Sequence, residues 1–294
     1  MADFFDFSTE SIAALAQSDV ARSLQEDVGT GDLSASLIDS EQRAHATVRS
    51  REAAVICGTF WTEAAFRQLD PAMQIIWHVK EGQKCEADQI VLELEGFARA
   101  MLSAERTALN FLQLLSAVAT KTHDYVTAVK EVKNARAQIV DTRKTLPGLR
   151  LAQKYAVRTG GGGNHRLGLY DAVLIKENHI AAAGSVKAAL QRALCMAEQA
   201  SFIEIEVETL DQLQDALDAG AGMILLDNMS LAQMAAAVNI NAGRATLEAS
   251  GGVKLSAVQA IAATGVDRIS IGSLTKNVRA IDFSMRFKPL TLIP

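Results

Sequence analysis

Long apolar runs are missing from this chain. None reaches the roughly 18 residues that a membrane-spanning helix requires, which argues against an integral helical membrane protein. Cysteine is scarce. Cys57, Cys85 and Cys195 are odd in number, widely spaced and form no Cys-x-x-Cys pair, so neither a disulfide framework nor a zinc site is expected. The opening MADFFDFSTE is acidic where a secretory signal is basic, which points to the cytoplasm. An excess of positive charge is lacking too: the formal net charge is −5, which argues against nucleic acid as the main partner. The 294 residues are instead 49% hydrophobic and 21% charged. That balance is close to the globular average and argues against disorder, collagen-like and coiled-coil architectures. The length suffices for a sizeable core and two domains.

The distribution of charge says more than its sum. Between Asp141 and Lys176 stand seven basic residues, Arg143, Lys144, Arg150, Lys154, Arg158, Arg166 and Lys176, opposed only by Asp141 and Asp171. A cationic focus inside an acidic chain suggests a small anionic ligand. The plainer alternative is a solvated basic face.

Residues 1–20 read as a helix, and Glu26-Asp27-Val28-Gly29-Thr30-Gly31-Asp32 as a loop. Residues 46–57 suit one or two strands and 59–69 a short helix. MQIIWHVK and QIVLELEG suit strands on either side of a Glu81-Gly82 turn. Residues 102–130 have apolar positions recurring at three and four without internal Gly or Pro, the pattern of a long helix. After residue 135 the rhythm changes. Strand-like runs at 137–141, 172–176, 202–208, 222–227, 245–249 and 267–272 alternate with helical segments. Alternating βα units imply a parallel sheet, and six strands fall short of the eight of a full barrel, so a small or incomplete barrel is expected.

The six runs end in polar or glycine residues: Asp141-Thr142-Arg143-Lys144, Lys176-Glu177-Asn178-His179, the Glu204, Glu206 and Glu208 series, Asp227-Asn228, Ser250-Gly251-Gly252, and Gly272-Ser273. Sites in parallel α/β folds lie at the carboxyl ends of the strands, so these ends predict one ligand site. The last two turns occupy the place where barrels bind phosphate; tight βα turns that need glycine for a positive φ are the alternative. Glu204, Glu206 and Glu208 share one strand face, and spacing leaves open which of them meets the site. With Asp227, one of them could hold Mg²⁺ or sugar hydroxyls, or serve as ion-pair partner to Arg143, Lys144 or Lys176. Gly160-Gly161-Gly162-Gly163-Asn164-His165-Arg166 reads as a flexible loop, either a phosphate nest or a mobile element presenting His165 and Arg166. Arg143, Lys144, Arg166 and Lys176 together could bind a small di-acid, and Lys176 could alternatively form a Schiff base.

These motifs resemble the quinolinate phosphoribosyltransferase family over nearly the whole chain. The resemblance rests on Glu26 to Asp32, Ala104-Glu105-Arg106-Thr107-Ala108-Leu109-Asn110, Asp141-Thr142-Arg143-Lys144-Thr145 and Pro147-Gly148-Leu149-Arg150. Asn164-His165-Arg166, Lys176-Glu177-Asn178-His179, Leu226-Asp227-Asn228, Ser250-Gly251-Gly252 and Gly272-Ser273-Leu274-Thr275 complete it. It implies an α/β protein with an N-terminal α/β sandwich over 1–116, joined by 280–294, and a C-terminal open α/β barrel over 117–279. It implies a homodimer with shared active sites. The implied reaction joins quinolinate and phosphoribosyl pyrophosphate, with Mg²⁺, to give nicotinate mononucleotide, pyrophosphate and CO₂ in NAD biosynthesis.

By matching positions, the resemblance assigns the quinolinate carboxylates to Arg143, His165, Arg166 and Lys176, with Arg106 reaching in from the partner subunit. Lys144, Glu206 and Asp227 form the implied catalytic set, and Glu206 and Asp227 contact ribose and metal. Ser250, Gly251, Gly252, Gly272 and Ser273 would cradle the 5′-phosphate, with Lys276 as a point charge beside it. Asn277 stands where small residues are usual in the family, and Leu146 where a polar residue is frequent. The competing readings are a paralogous transferase acting on another ring acid (the type associated with molybdenum operons), a Schiff-base lyase and a phosphosugar-binding regulator.

Overall fold

The computed structural model describes residues 5–288, so the ends of the expected segments at 1–4 and 289–294 lie outside the described residues. The chain divides into two compact units, one of residues 5–121 together with the chain from 277, the other of 122–276. Among the described residues, no helix is long and apolar enough to cross a membrane.

The first unit contains α1 (Thr9–Asp27), β1 (Arg43–Ser50), β2 (Ala54–Val55), α2 (Thr59–Leu69), β3 (Gln74–Trp77), β4 (Lys84–Cys85) and β5 (Ile90–Phe97). The long α3 (Ala98–Lys130) follows, and the division between the units falls inside it. Helix α1 buries Ile12, Ala16, Val20 and Leu24, one apolar residue every four, and packs this stripe against α2, which contributes Trp61 and Phe66. Ser8 caps α1 by accepting from the Ser11 N–H at 3.2 Å. The helix extends through Glu26 and Asp27, two residues assigned above to a loop, and the chain turns at Gly29, where φ is +56°. Asp32 secures the turn by accepting from the backbone N–H groups of Ser34 and Ala35 and from the Ser103 hydroxyl.

The second unit is a repeating βα chain. It runs β6 (Gln138–Val140), α4 (Arg150–Thr159), β7 (Val173–Ile175), α5 (Glu177–Ala183), α6 (Val186–Leu194), β8 (Ile203–Val207) and α7 (Leu210–Asp218). It continues β9 (Met223–Asp227), α8 (Leu231–Asn241), β10 (Thr246–Ser250), α9 (Leu255–Ala263), β11 (Arg268–Ser270) and α10 (Ser273–Lys276). A last strand, β12 (Phe283–Phe287), returns to the first unit and pairs antiparallel with β1, placing Val48 opposite Met285. The resulting sheet has the order β12-β1-β5-β3.

All six strand-like runs after residue 135 are strands. They form one parallel sheet of order β6-β11-β10-β9-β8-β7, with β6 and β7 as its outermost strands. This is the open α/β barrel. The strand faces differ sharply. Ile205, Val207, Ile224, Leu226, Leu247, Ala249 and Ile269 lie on one face, each at most 2% exposed. The alternate positions carry Glu204, Glu206, Leu225, Asp227, Glu248, Ser250, Arg268 and Ser270. A parallel strand buried on both faces ordinarily reads as continuous apolar sequence. Here the second face is polar, and that face forms the site.

Candidate active site

The carboxyl ends of the strands surround a cavity of about 340 Å³. It is lined by Thr142, Arg143 and Lys144 after β6, His165 and Arg166 before β7, Leu174 on β7, and Lys176 just after it at the N-cap of α5. Glu206, Leu225, Glu248, Ser250 and Ser270 complete it from the next four strands. Four cations thus face one space. The Arg143 Nε is buried without a hydrogen-bond partner. Burial lowers the Arg166 guanidinium from its ordinary value, and the neighbouring Arg143 charge lowers it further. Two guanidinium groups held close at such a cost favour an anion between them.

The other basic residues of the 141–176 window do different work. Lys154 is fully buried and paired with Asp141. Arg150 donates to the Thr145 hydroxyl at 3.1 Å and to the Leu167 carbonyl at 3.2 Å, and Arg158 is exposed on α4. The cationic focus is therefore narrower than the sequence count.

The four-glycine segment is not the flexible loop expected from composition. Gly160 and Gly161 donate to the Ala156 and Arg158 carbonyls at the end of α4. Gly163 forms a parallel bridge with Val140, donating to the Ile139 carbonyl at 2.8 Å. A Cβ on Gly162 would lie 2.8 Å from the Thr122 methyl. Glycine serves close packing here, and with its N–H groups donated to backbone carbonyls the segment is not a phosphate nest; it delivers His165 and Arg166 beside β6.

A buried ladder of charge runs from the cavity lining into the barrel. The His165 Nδ1 accepts the Arg166 N–H at 2.8 Å, so the ring proton sits on Nε2, which donates to Glu204 at 2.8 Å. Glu248 lies 3.6 Å from the same Nε2, and its other oxygen lies 3.0 Å from the Arg268 Nε, a charge contact rather than an aligned hydrogen bond. Burial pushes the Glu204 and Glu248 carboxyls each up to about 7, and burial likewise lowers His165. The ligand atoms of His165, Glu204 and Glu248 lie within 4.8 Å of one another, a spacing compatible with a metal. Arg268 already supplies a counter-charge to Glu248, and the ring proton occupies the nitrogen, so we read the trio as a buried polar floor.

The carboxylate series on β8 separates by depth. Glu204 is fully buried, and Glu206 reaches the cavity with its Oε2 2.6 Å from the Lys176 Nζ. Glu208 lies past the strand and is exposed. Glu206 is aligned with Leu225, which puts Asp227 on the same face one step nearer the mouth. The Asp227 Oδ2 accepts from the Asn228 amide at 2.8 Å. Two carboxylates on adjacent strands, one step apart, suit Mg²⁺, which takes one or two protein carboxylates and fills its remaining positions with water and substrate phosphate.

Asp227, Gly251, Gly252, Gly272, Ser273 and Lys276 are not among the cavity-lining residues; Ser250 links them to it. Asn228 donates its N–H to the Ser250 carbonyl at 3.0 Å. Gly251 has φ +111°, and a Cβ there would lie 2.2 Å from the Asn228 Oδ1. Gly272 has no positive φ, contrary to the tight-turn expectation; space against Lys144 Cδ, 2.9 Å from a built Cβ, is what makes its lack of a side chain useful. Thr275 joins this turn to the β6 loop by donating its hydroxyl to the Lys144 carbonyl at 2.8 Å. Lys276 is exposed on α10, and Arg106 is exposed on α3 in the other unit.

Sequence reasoning missed Arg268 and Ser270. Their period-two spacing on β11 was the available signal.

Relatives share this architecture. Family models of the quinolinate phosphoribosyl transferase N-terminal and C-terminal domains match residues 31–116 and 118–286. The chain is 42% identical over 260 residues to a probable nicotinate-nucleotide pyrophosphorylase [carboxylating] of Bacillus subtilis, covering 88% of this chain and 89% of that one. It is 44% identical to the nicotinate-nucleotide pyrophosphorylase [carboxylating] of Mycobacterium leprae over 80% and 83% of the two chains. The structure of the nicotinate-nucleotide pyrophosphorylase from Francisella tularensis superposes with a TM-score of 0.91 at 41% identity, covering 98% of this chain and all of that one. With both domains matched and the strand-end cations and carboxylates gathered around one cavity, the chain belongs to the quinolinate phosphoribosyl transferase family.

Proposed function

We propose that the chain transfers a phosphoribosyl group from phosphoribosyl pyrophosphate to quinolinate and decarboxylates the product, giving nicotinate mononucleotide, pyrophosphate and CO₂ for NAD biosynthesis. The observation that carries this reading is the convergence of Arg143, Lys144, Arg166 and Lys176 on one cavity wall, with Glu206 on the strand beside Lys176. Four cations exceed what a mono-acid needs, and arginine's planar fork suits carboxylates.

The cations hold the two carboxylates so that the ring nitrogen faces the anomeric carbon, a proximity effect. The nitrogen is the nucleophile, so the protein need supply none. As its electron pair forms the bond to the anomeric carbon, pyrophosphate leaves with the pair of the breaking bond. Glu206 and Asp227 face the positive charge that develops on the ribose. Lys176, ion-paired to Glu206, exchanges that partner for a substrate carboxylate and leaves Glu206 to the sugar. Lys144 extends the cationic wall toward the leaving group. Glu206 and Asp227 would hold Mg²⁺, which would supply charge neutralisation for the pyrophosphate. Once ribosylated, the ring nitrogen is positive. The adjacent carbon–carboxylate bond then breaks, CO₂ departs, and the electron pair left on the ring carbon takes up a proton.

Backbone N–H groups of the Ser250-Gly251-Gly252 and Gly272-Ser273 turns are assigned to the 5′-phosphate, with Lys276 as a point charge. His165, whose ring nitrogens are engaged by Arg166 and Glu204, contributes to the di-acid pocket through its ring and by orienting Arg166. The assigned setting is a cytoplasmic homodimer in which Arg106 of one subunit completes the other's site.

The test is incubation with quinolinate, phosphoribosyl pyrophosphate and Mg²⁺, following CO₂ and mononucleotide in equal amounts. Turnover of nicotinate without CO₂, or no turnover of quinolinate, would overturn the reading.

A further inference from the structure

Asp141 and Lys154 are both fully buried and form an ion pair, although neither belongs to the cavity wall. Burying two opposite charges gives weak stabilisation at best, and apolar residues of similar volume often serve stability as well or better. The pair therefore calls for a geometric explanation, and its remaining hydrogen bonds supply one. The Asp141 Oδ1 accepts the His165 N–H at 2.9 Å, and the Lys154 Nζ donates to the His165 carbonyl at 3.0 Å. Both backbone polar groups of one residue are thus gripped by the two members of one ion pair. Asn164 tightens the grip by donating from one Nδ2 to the Asp141 Oδ2 at 2.7 Å and to the Lys154 carbonyl at 3.0 Å.

Each side of this knot leads to a cavity cation. Asp141 directly precedes Thr142-Arg143-Lys144 on the first loop. On the second, the clamped His165 precedes Arg166, whose N–H is fixed on the His165 ring at 2.8 Å. The two loops carry like charges that repel, as the effect of Arg143 on Arg166 records. Loops bearing mutually repelling groups spread unless a frame holds them, and one buried carboxylate joins these two.

We propose that the Asp141–Lys154 pair is a positioning device that clamps the His165 main chain and thereby fixes the separation of Arg143 and Arg166, selecting a ring acid with two adjacent carboxylates over one with a single carboxylate. This rests on the function proposed above. Neither residue touches substrate; both act through His165 and Arg166.

The experiment uses the full-length double variant Asp141→Leu/Lys154→Met, which removes both charges and both hydrogen bonds to the His165 main chain and leaves no lone buried ion. The quinolinate KM rises at least tenfold, the phosphoribosyl pyrophosphate KM stays within twofold, and the preference for quinolinate over nicotinate falls by a similar factor. Amide exchange at His165, followed by NMR without substrate, accelerates at least a hundredfold. An unchanged quinolinate KM, or equal rises in both KM values with a lowered melting temperature, overturns the proposal, because a merely structural role gives no split. If that double variant does not fold, Asn164→Ala loosens the same knot. It then raises the quinolinate KM alone by two- to fivefold, and an unchanged value counts against the clamp. If the wild type does not turn over quinolinate, the proposed reaction fails. Exchange at His165 still tests the clamp, and unchanged protection in the double variant refutes it separately.

Discussion

The two faces of the barrel strands make opposite use of the same backbone. On β8, Ile205 and Val207 lie in an apolar layer, while Glu204 and Glu206 alternate with them on the opposite face. On β10, Leu247 and Ala249 alternate with Glu248 and Ser250 in the same way. The apolar face gains from burial at about 25 cal/mol per Å². The inner face carries the opposite balance, with Glu204 and Glu248 buried enough that each titrates near pH 7. Stability is carried by one side of each strand and chemistry by the other. The period-two geometry of a strand lets both share a five-residue segment.

Breaking the apolar face should have the largest effect. Leu226→Ala on β9 should lower unfolding free energy by about 2–5 kcal/mol, read by urea melts, with kcat per folded molecule unchanged. A comparable loss of kcat would show that the faces are not separable.

The converse change is Arg143→Ala. Quinolinate kcat/KM should fall at least tenfold, about 1.4 kcal/mol or more, while the melting temperature moves little. Unchanged kinetics would remove Arg143 from the site.

The buried ladder of charge sharpens the comparison through pH. Glu204 and Glu248 titrate near 7 in the folded chain, above the ordinary glutamate value of 4.5. The folded state therefore holds more protons than the unfolded state between those values. The contribution of these groups to stability falls as pH rises from about 4.5 to about 7 and then levels off. Glu248→Gln should be progressively more stable relative to wild type across that window, by about 1 kcal/mol or more at its upper end. Urea melts from pH 5 to 8 would show this, and a difference independent of pH would contradict it.

The smallest effect belongs to the surface of the βα repeat. The Thr209 hydroxyl caps α7 by accepting from Gln212 N–H at 3.2 Å, and Thr209→Ala should cost about 1 kcal/mol without altering either KM. An altered KM would connect the helical layer to the site.

Much of the fold was legible because short-range pattern governs it. The six barrel strands announced themselves as compact apolar runs, and the long helix by its three- and four-residue spacing over 102–130, although α3 begins one turn earlier at Ala98. Local composition misled where tertiary contact decides. Four successive glycines suggested freedom, yet Gly162 and Gly163 are glycine because β6 and α3 leave no room for side chains. Lys154 looked like one more cation of the focus, yet its helix points it at Asp141.

By itself the sequence determined the βα rhythm, the delivery of polar residues to one sheet edge, and the family. Those depend on residue type and spacing, which are one-dimensional. The resemblance assigns Glu206; only the tertiary structure decided that Glu204 is buried below it and Glu208 exposed beyond it, and that Arg268 pairs with the buried Glu248. It also decided that one ion pair grips both sides of the His165 backbone. Depth, charge partnership and convergence of distant segments are properties of the folded chain, because they depend on which strands become neighbours and which way each side chain then faces.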